Sequence, residues 1–97
     1  MRLTAVDIEL IRTCVRERFG ADAGIWLFGS RLDDQARGGD IDLYVEPSVP
    51  PPENLFLARD ALRRELQRGL NQPVDLVVSR GEPTAFMRQA REEGQRL

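Results

Sequence analysis

Two aspartates one residue apart, Asp40 and Asp42, are the side chains of this sequence best suited to chemistry. They stand where a polar loop gives way to an apolar run. In an extended strand, residues i and i+2 point to the same face with α-carbons about 6.6 Å apart, so the two carboxylates project side by side. Like charges so placed repel unless a cation lies between them. Two Mg²⁺ ions about 3.5–4 Å apart commonly fill that role in phosphate chemistry, so the pair predicts a metal site that handles phosphate.

The dipeptide Gly29–Ser30 supplies a second feature, joined to the aspartates by a loop of nine residues. Glycine lets the backbone approach a ligand closely. Ser30, with Asp33 three positions later, has the pattern of a helix N-cap. A helix that starts there would point free N–H groups outward, which is an arrangement that binds anions. Together with the carboxylate pair, this feature predicts a site for a nucleoside triphosphate.

A third carboxylate, Asp75, interrupts the apolar run Val-Asp-Leu-Val-Val. By strand parity, Val74, Leu76 and Val78 face one way and Asp75 faces the other. If this strand neighbours the one that carries Asp42, three carboxylates converge on one surface, and we expect that convergence. Each feature alone has an ordinary structural explanation as a turn or a wet strand face, but their joint occurrence in this order favours a site.

The residue types that are missing narrow the chemistry. The chain has no histidine and no lysine, and all fourteen basic residues are arginine. Ser–His and Cys–His nucleophile systems, histidine-ligated zinc, Schiff-base chemistry and a P-loop lysine are therefore excluded. Cys14, the single cysteine, lies on the apolar side of a helical pattern and is expected to be a buried structural thiol. Carboxylates remain as the groups for proton transfer and metal ligation.

Size and composition indicate a single domain over residues 1–97, built around one core. The net charge of −2, with both signs interspersed, argues against direct nucleic-acid binding. No apolar run approaches the ~20 residues of a membrane span, and the N-terminal residues show no basic-then-apolar signal pattern before a cleavage site. We therefore expect a cytoplasmic protein without membrane contact.

Hydrophobic periodicity predicts the elements that carry these residues. Helices are expected from Thr4 to a stop at Gly20, over 30–36, from Pro52 to Gly69 or Asn71, and from Thr84 to about Gln95. Strands are expected at Ile25 to Phe28, Ile41 to Glu46 and Val74 to Ser79. This order predicts an α/β (α+β) domain with helices packed on a small three-stranded sheet.

Three further features have ordinary structural interpretations. Trp26 stands inside an apolar strand and is expected in the core, not as a platform for stacking bases. Tyr44 shares the parity of Asp42, so it either lines the site or packs half-buried. The arginines between Arg88 and Arg96 are expected on a solvated helix face.

The set Gly29–Ser30, Asp40–Ile41–Asp42 and Asp75 resembles the signature of the polymerase-beta-type nucleotidyltransferase superfamily. The short length, and Gly-Ser-Arg followed by Gly-Asp-Ile-Asp-Leu, resemble its minimal nucleotidyltransferase (MNT) branch. The resemblance covers nearly the whole chain in element order. It implies the nucleotidyltransferase fold and the transfer of a nucleoside monophosphate from a triphosphate to a hydroxyl.

The resemblance also implies roles for single residues. Asp40, Asp42 and Asp75 would hold two Mg²⁺ ions, and Asp75 would help to deprotonate the attacking hydroxyl. Gly29 and Ser30 would contact the triphosphate of ATP, and Arg31 would touch a phosphate. Many MNT proteins of this size are antitoxins that transfer AMP to a tyrosine of a HEPN-domain ribonuclease toxin, and the resemblance implies the same function and partner here.

Two alternatives stay open at the level of sequence. The same fold would neutralise a partner by masking it, with a catalytically silent carboxylate site. A small-molecule transferase of the aminoglycoside-modifying kind is the other alternative, although such enzymes normally carry an added helical domain.

Overall fold

A mixed sheet with two helices packed against one face makes up the computed structural model, which describes residues 3–28, 41–48, 54–79 and 85–97. Its elements are α1 (Ala5–Phe19), β1 (Gly24–Phe28), β2 (Ile41–Glu46), α2 (Leu55–Leu70), β3 (Val74–Val78), α3 (Ala85–Glu93) and β4 (Gln95–Arg96). Within these ranges the strand order is β3-β2-β1-β4. β2 pairs parallel with β3, and β1 pairs antiparallel with both β2 and β4.

Helix α1 begins at a capping box formed by Thr4 and Asp7. The Asp7 N–H donates to Thr4 Oγ1 at 3.1 Å, and the Thr4 N–H donates to the Asp7 carboxylate at 3.2 Å. Two of the N–H groups that a helix start leaves unpaired are thereby satisfied. The helix ends at Gly20, whose φ of 105° favours glycine. The predicted start and stop are confirmed.

Helix α2 provides the crossover that two parallel strands require. It begins at Leu55, after Asn54 accepts a hydrogen bond from the Leu57 N–H at 3.1 Å. The predicted start at Pro52 lies outside the described residues. The helix ends at Asn71, a residue in the left-handed conformation with φ 55°. The sequence left the choice between Gly69 and Asn71 open, and the structure selects Asn71.

One hydrophobic core lies between the sheet and the helices α1 and α2. Strand alternation directs one side chain in two toward these helices. The strands contribute Ile25, Leu27, Ile41, Leu43, Val45, Val74, Leu76 and Val78, and the two helices contribute Ile11, Cys14, Val15, Phe19, Leu62, Leu66 and Leu70. The opposite face of the sheet, which we call the open face, carries the remaining strand side chains.

The predicted fold class is confirmed, but the predicted number of strands is wrong. The last helix ends at Glu93, and Gln95 and Arg96 form a short strand along β1. Gly94 interrupts the helix, and the two polar residues after it carry no alternation that a sequence pattern could reveal. The free edge of β1 supplies the hydrogen bonds that make this segment a strand.

None of the described helices combines the length and the apolar character that a transmembrane span requires.

Core packing predicts a contrast between two leucines of α2. Leu62 is fully buried, whereas Leu57 is 58% exposed. Leu62→Ala is expected to lower the free energy of unfolding by about 2–5 kcal/mol, because it leaves a cavity. Leu57→Ala, the matched control, is expected to change it by less than about 0.5 kcal/mol. Urea denaturation would measure both, and equal losses would contradict this packing.

The Cys14 thiol is expected to be inert in the folded protein. Burial, and then a hydrogen bond with the Glu65 carboxylate, raise the pKa of Cys14 to about 12. Because the thiolate is the reactive form, a thiol reagent at pH 8 is expected to modify the native chain far more slowly than the urea-unfolded chain. Equal rates for the two would show that the thiol is exposed.

The same raised pKa predicts how stability depends on pH. Above pH 9, the ordinary pKa of this thiol, the unfolded chain loses the Cys14 proton while the folded chain keeps it up to about pH 12. The free energy of unfolding should therefore fall between these two pH values. A Cys14→Ala variant should lose that part of the slope in urea titrations at successive pH values, and an unchanged slope would refute the assignment.

Candidate active site

Two of the predicted carboxylates lie side by side on the open face. Asp42 in β2 and Asp75 in β3 are register partners in the parallel pair, so their α-carbons stand about 4.8 Å apart. Both alternate with residues of the core, which directs their side chains away from the helices. Asp42 is half-buried, and Asp75 is exposed. The structure therefore brings these two residues together at one end of the sheet.

The adjacent strand β1 ends level with the Asp42–Asp75 pair. Phe28, its last residue, is the register partner of Asp42 on the other side. The segment between Phe28 and Ile41 lies outside the described residues. It contains four of the predicted site residues, Gly29, Ser30, Arg31 and Asp40, and the predicted helix over 30–36. Their roles stay predictions. Both described ends of the chain that flank this segment lie beside the Asp42–Asp75 pair.

The chemistry of the pair is that of a divalent cation site. Two carboxylates on neighbouring strands repel, and a cation between them relieves the repulsion. Carboxylate oxygens are the protein ligands that Mg²⁺ prefers. Among the described residues, no group of three or more Asp, Glu, His or Cys side chains gathers that could hold a metal ion. Asp42 and Asp75 are thus two members of a ligand set whose predicted third member, Asp40, is not described.

Tyr44 lies two residues beyond Asp42 on the same face and is fully buried. Burial raises the pKa of its hydroxyl, which therefore stays protonated at neutral pH. The Tyr44 ring packs against Trp26, with the two ring centroids 5.7 Å apart. Of the two interpretations left open for Tyr44, the structure favours packing, because the ring supports the middle of the open face.

Trp26, at the other end of the open face, does not lie where the sequence predicts it. The prediction of Trp26 in the core is wrong: the side chain is half-buried on the opposite face, because β1 buries Ile25 and Leu27 instead. The guanidinium carbons of Arg91 and Arg96 lie 5.8 Å and 5.3 Å from its ring centroid.

Both arginines are exposed, as the sequence predicts, and Arg91 lies on α3. Arg96 lies in β4 and not on the predicted helix, because the helix ends at Glu93. Arg91 also forms an ion pair with Glu46, and that hydrogen-bonded pairing raises the pKa of Arg91. Sequence analysis missed that alternate residues of β1 and β2 lie on the same face of the sheet. These residues are Gly24, Trp26 and Phe28 of β1 and Asp42, Tyr44 and Glu46 of β2. That arrangement is visible only once the register of β1 and β2 is known.

Comparisons with known proteins bear on the family and the fold of the chain. The family model described as "Nucleotidyltransferase domain" matches residues 8–97. No curated protein matches the chain significantly.

Several solved structures share the fold. A chain from the crystal structure of a toxin–antitoxin with AMP-PNP is 28% identical, with a TM-score of 0.72, over 97% of this chain and 72% of that chain. A chain from the toxin–antitoxin MntA–HepT is 25% identical, with a TM-score of 0.70, over 96% and 70%. A chain from a tri-AMPylated Shewanella oneidensis HEPN toxin in complex with MNT antitoxin is 26% identical, with a TM-score of 0.69, over 94% and 68%.

The resemblance predicted from the signature residues is thereby confirmed. The family match and the shared fold lead to one assignment: this chain belongs to the nucleotidyltransferase domain family, with structural likeness to MNT antitoxins.

Proposed function

We propose that this domain transfers AMP from ATP to a hydroxyl, that of a tyrosine, on a partner HEPN toxin, and that it thereby acts as the antitoxin. The observation that carries the proposal is the in-register placement of Asp42 beside Asp75 on an open face. Two solved relatives add support, since one contains AMP-PNP and another contains a tri-AMPylated HEPN toxin with an MNT antitoxin.

Asp42 and Asp75, together with Asp40, would hold the magnesium. When bound, Mg²⁺ neutralises charge on the triphosphate and favours ionisation of the attacking hydroxyl. The hydroxyl oxygen forms a bond to the α-phosphorus, the bond from that phosphorus to the bridging oxygen breaks, and pyrophosphate leaves with the electron pair. The hydroxyl proton passes to Asp75, since the chain has no histidine to accept it.

The open face suits a macromolecular acceptor. Asp75 is exposed on β3, an edge strand of the described sheet, so a hydroxyl on another protein can reach its carboxylate from solvent. Gly29, Ser30 and Arg31 are proposed to hold the triphosphate at the end of β1, beside the pair. Transfer to a protein hydroxyl therefore requires no closed pocket within this domain.

Substitution of either carboxylate tests the catalytic role. Asp42→Asn and Asp75→Asn are each expected to lower the transfer of label from α-labelled ATP to the HEPN protein roughly 100-fold or more. Glu17→Gln, the matched control, also removes one negative charge, but it changes an exposed residue of α1, on the other side of the sheet. The acceptor would be a HEPN protein encoded by the neighbouring reading frame, which we expect to find.

The toxicity assay separates transfer from simple masking. If the wild-type chain never labels the HEPN protein, and both Asn variants still suppress its toxicity, the domain works by binding alone. If the isolated chain labels an aminoglycoside instead, the small-molecule alternative is correct.

Removal of divalent cations is a further test. Without a cation, the two carboxylates repel each other and also repel the triphosphate. EDTA is therefore expected to abolish label transfer, and added Mg²⁺ is expected to restore it. Thermal unfolding in EDTA serves as the control, because the hydrophobic core lies on the opposite face and should keep the fold intact. Undiminished transfer in EDTA would exclude a metal-dependent mechanism.

A further inference from the structure

A second concave site lies at the far end of the open face, and we call it the Trp26 groove. Its volume is about 490 Å³, within the range of small-molecule sites. The lining residues used below are Asp22, Gly24, Trp26, Glu46, Arg91 and Arg96. The groove therefore combines one aromatic ring with two carboxylates and two guanidinium groups.

The indole of Trp26 is held in a defined position. It rests against Gly24, where a Cβ atom would lie only 2.5 Å from the ring. Tyr44, fully buried, supports it with an interplanar angle of 36°. Gly24 and Tyr44 constrain the ring, and the guanidinium groups of Arg91 and Arg96 lie over it. The indole is therefore held in one orientation, and planar cations already contact its π-system.

The two arginines of the groove differ in their charge balance. Arg91 is neutralised by its ion pair with Glu46. Arg96 is exposed, and no ion pair among the described residues includes it. Within the described part of the chain, the groove thus offers one planar cation without an ion-pair partner, beside an aromatic ring.

We propose that the Trp26 groove binds a nucleotide with an amino-purine base. The base would stack on the indole in place of the Arg96 guanidinium that lies over it, since aromatic side chains bind nucleobases through their π-faces. The phosphate would pair with Arg96, whose planar guanidinium matches phosphate oxygens. The Asp22 carboxylate at the groove would accept hydrogen bonds from the amino group of the base. AMP contains all three complementary groups.

This site is separate from the Asp42–Asp75 pair. Gly24 and Glu46 are register partners, four residues along their strands from Phe28 and Asp42. At about 3.3 Å per residue, the two rows lie about 13 Å apart, and the Trp26 row lies between them, about 6.6 Å from Phe28 and Asp42. The indole leans from Trp26 toward Gly24, away from the Asp42–Asp75 pair. The groove is therefore tested with the metal removed and with the two carboxylates of that pair replaced, so that its failure is distinguishable from failure of the proposed transferase.

Fluorescence provides a direct test, because Trp26 is the only tryptophan of the chain. The full chain would be titrated with AMP, adenosine and inorganic phosphate in EDTA, which prevents metal-dependent binding at the carboxylates. AMP is expected to quench the emission with a saturating curve. Adenosine should bind about tenfold more weakly, because it lacks the charge-assisted contact with Arg96, and phosphate should not quench.

Variants assign the binding to the groove. Arg96→Gln is expected to weaken AMP binding about tenfold. Arg88→Gln, the matched control, removes the same charge from a position of α3 that does not line the groove, and it should leave affinity unchanged. The double variant Asp42→Asn, Asp75→Asn should also bind AMP normally, even if it transfers no label. Far-UV circular dichroism would verify folding, and Arg96→Lys, which keeps the charge, should bind with intermediate affinity.

A short oligo(A) RNA distinguishes two sources of the same chemistry. Saturable quenching by AMP supports a free nucleotide as the ligand, and quenching by the RNA alone assigns the site to a nucleotide unit within RNA. With either ligand, the Arg96→Gln variant must bind more weakly than the wild-type chain. The proposal is overturned if neither ligand quenches the emission, if adenosine binds as tightly as AMP, or if Arg88→Gln weakens binding as much as Arg96→Gln does.

Discussion

The parallel, in-register pairing of β2 with β3 is the constraint on which the candidate site depends. It places two carboxylates of like charge at adjacent positions, Asp42 and Asp75, a juxtaposition that a bound cation would stabilise. The other face of the same two strands holds them in this register. Leu43, Val45 and Leu76 are buried there, and a slip of one residue would turn them toward solvent and carry Asp75 into the core. Core packing on one face therefore sets the geometry of the site on the other.

The open face divides into two ends with different surroundings. At one end, Phe28, Asp42 and Asp75 form a row whose last member is exposed. At the other end, the C-terminal elements approach the sheet, and Arg91 and Arg96 contact Trp26. Tyr44, buried between the two ends, packs against that indole. A small domain thereby keeps a solvent-accessible carboxylate pair while supporting an aromatic groove on the same sheet.

Family membership and local geometry contribute different parts of the functional argument. The family match over residues 8–97 establishes the nucleotidyltransferase domain, but a fold by itself does not establish a reaction. The carboxylate pair supplies a site whose ligand chemistry suits magnesium and phosphate transfer. The exposure of Asp75 on an edge strand adds a reason to propose a protein acceptor.

Interactions between residues close together in the sequence were sufficient to predict much of the fold. The Thr4–Asp7 capping box, the stop at Gly20 and the alternation from Val74 to Val78 depend on neighbours within a few residues, so the sequence alone predicted them and the face on which Asp75 lies. The missing histidine and lysine likewise narrow the chemistry, because composition alone excludes whole classes of catalytic site. The roles of Gly29, Ser30, Arg31 and Asp40 stay predictions.

Tertiary structure alone decided which strands are neighbours. The parallel pairing that aligns Asp42 with Asp75, the strand at Gln95–Arg96 and the position of Trp26 outside the core all result from contacts between distant parts of the chain. Sequence parity states only that a side chain lies on one of two faces. Which face is buried, and what approaches the other, depends on how helices and strands pack together, because burial is a property of the assembled layers.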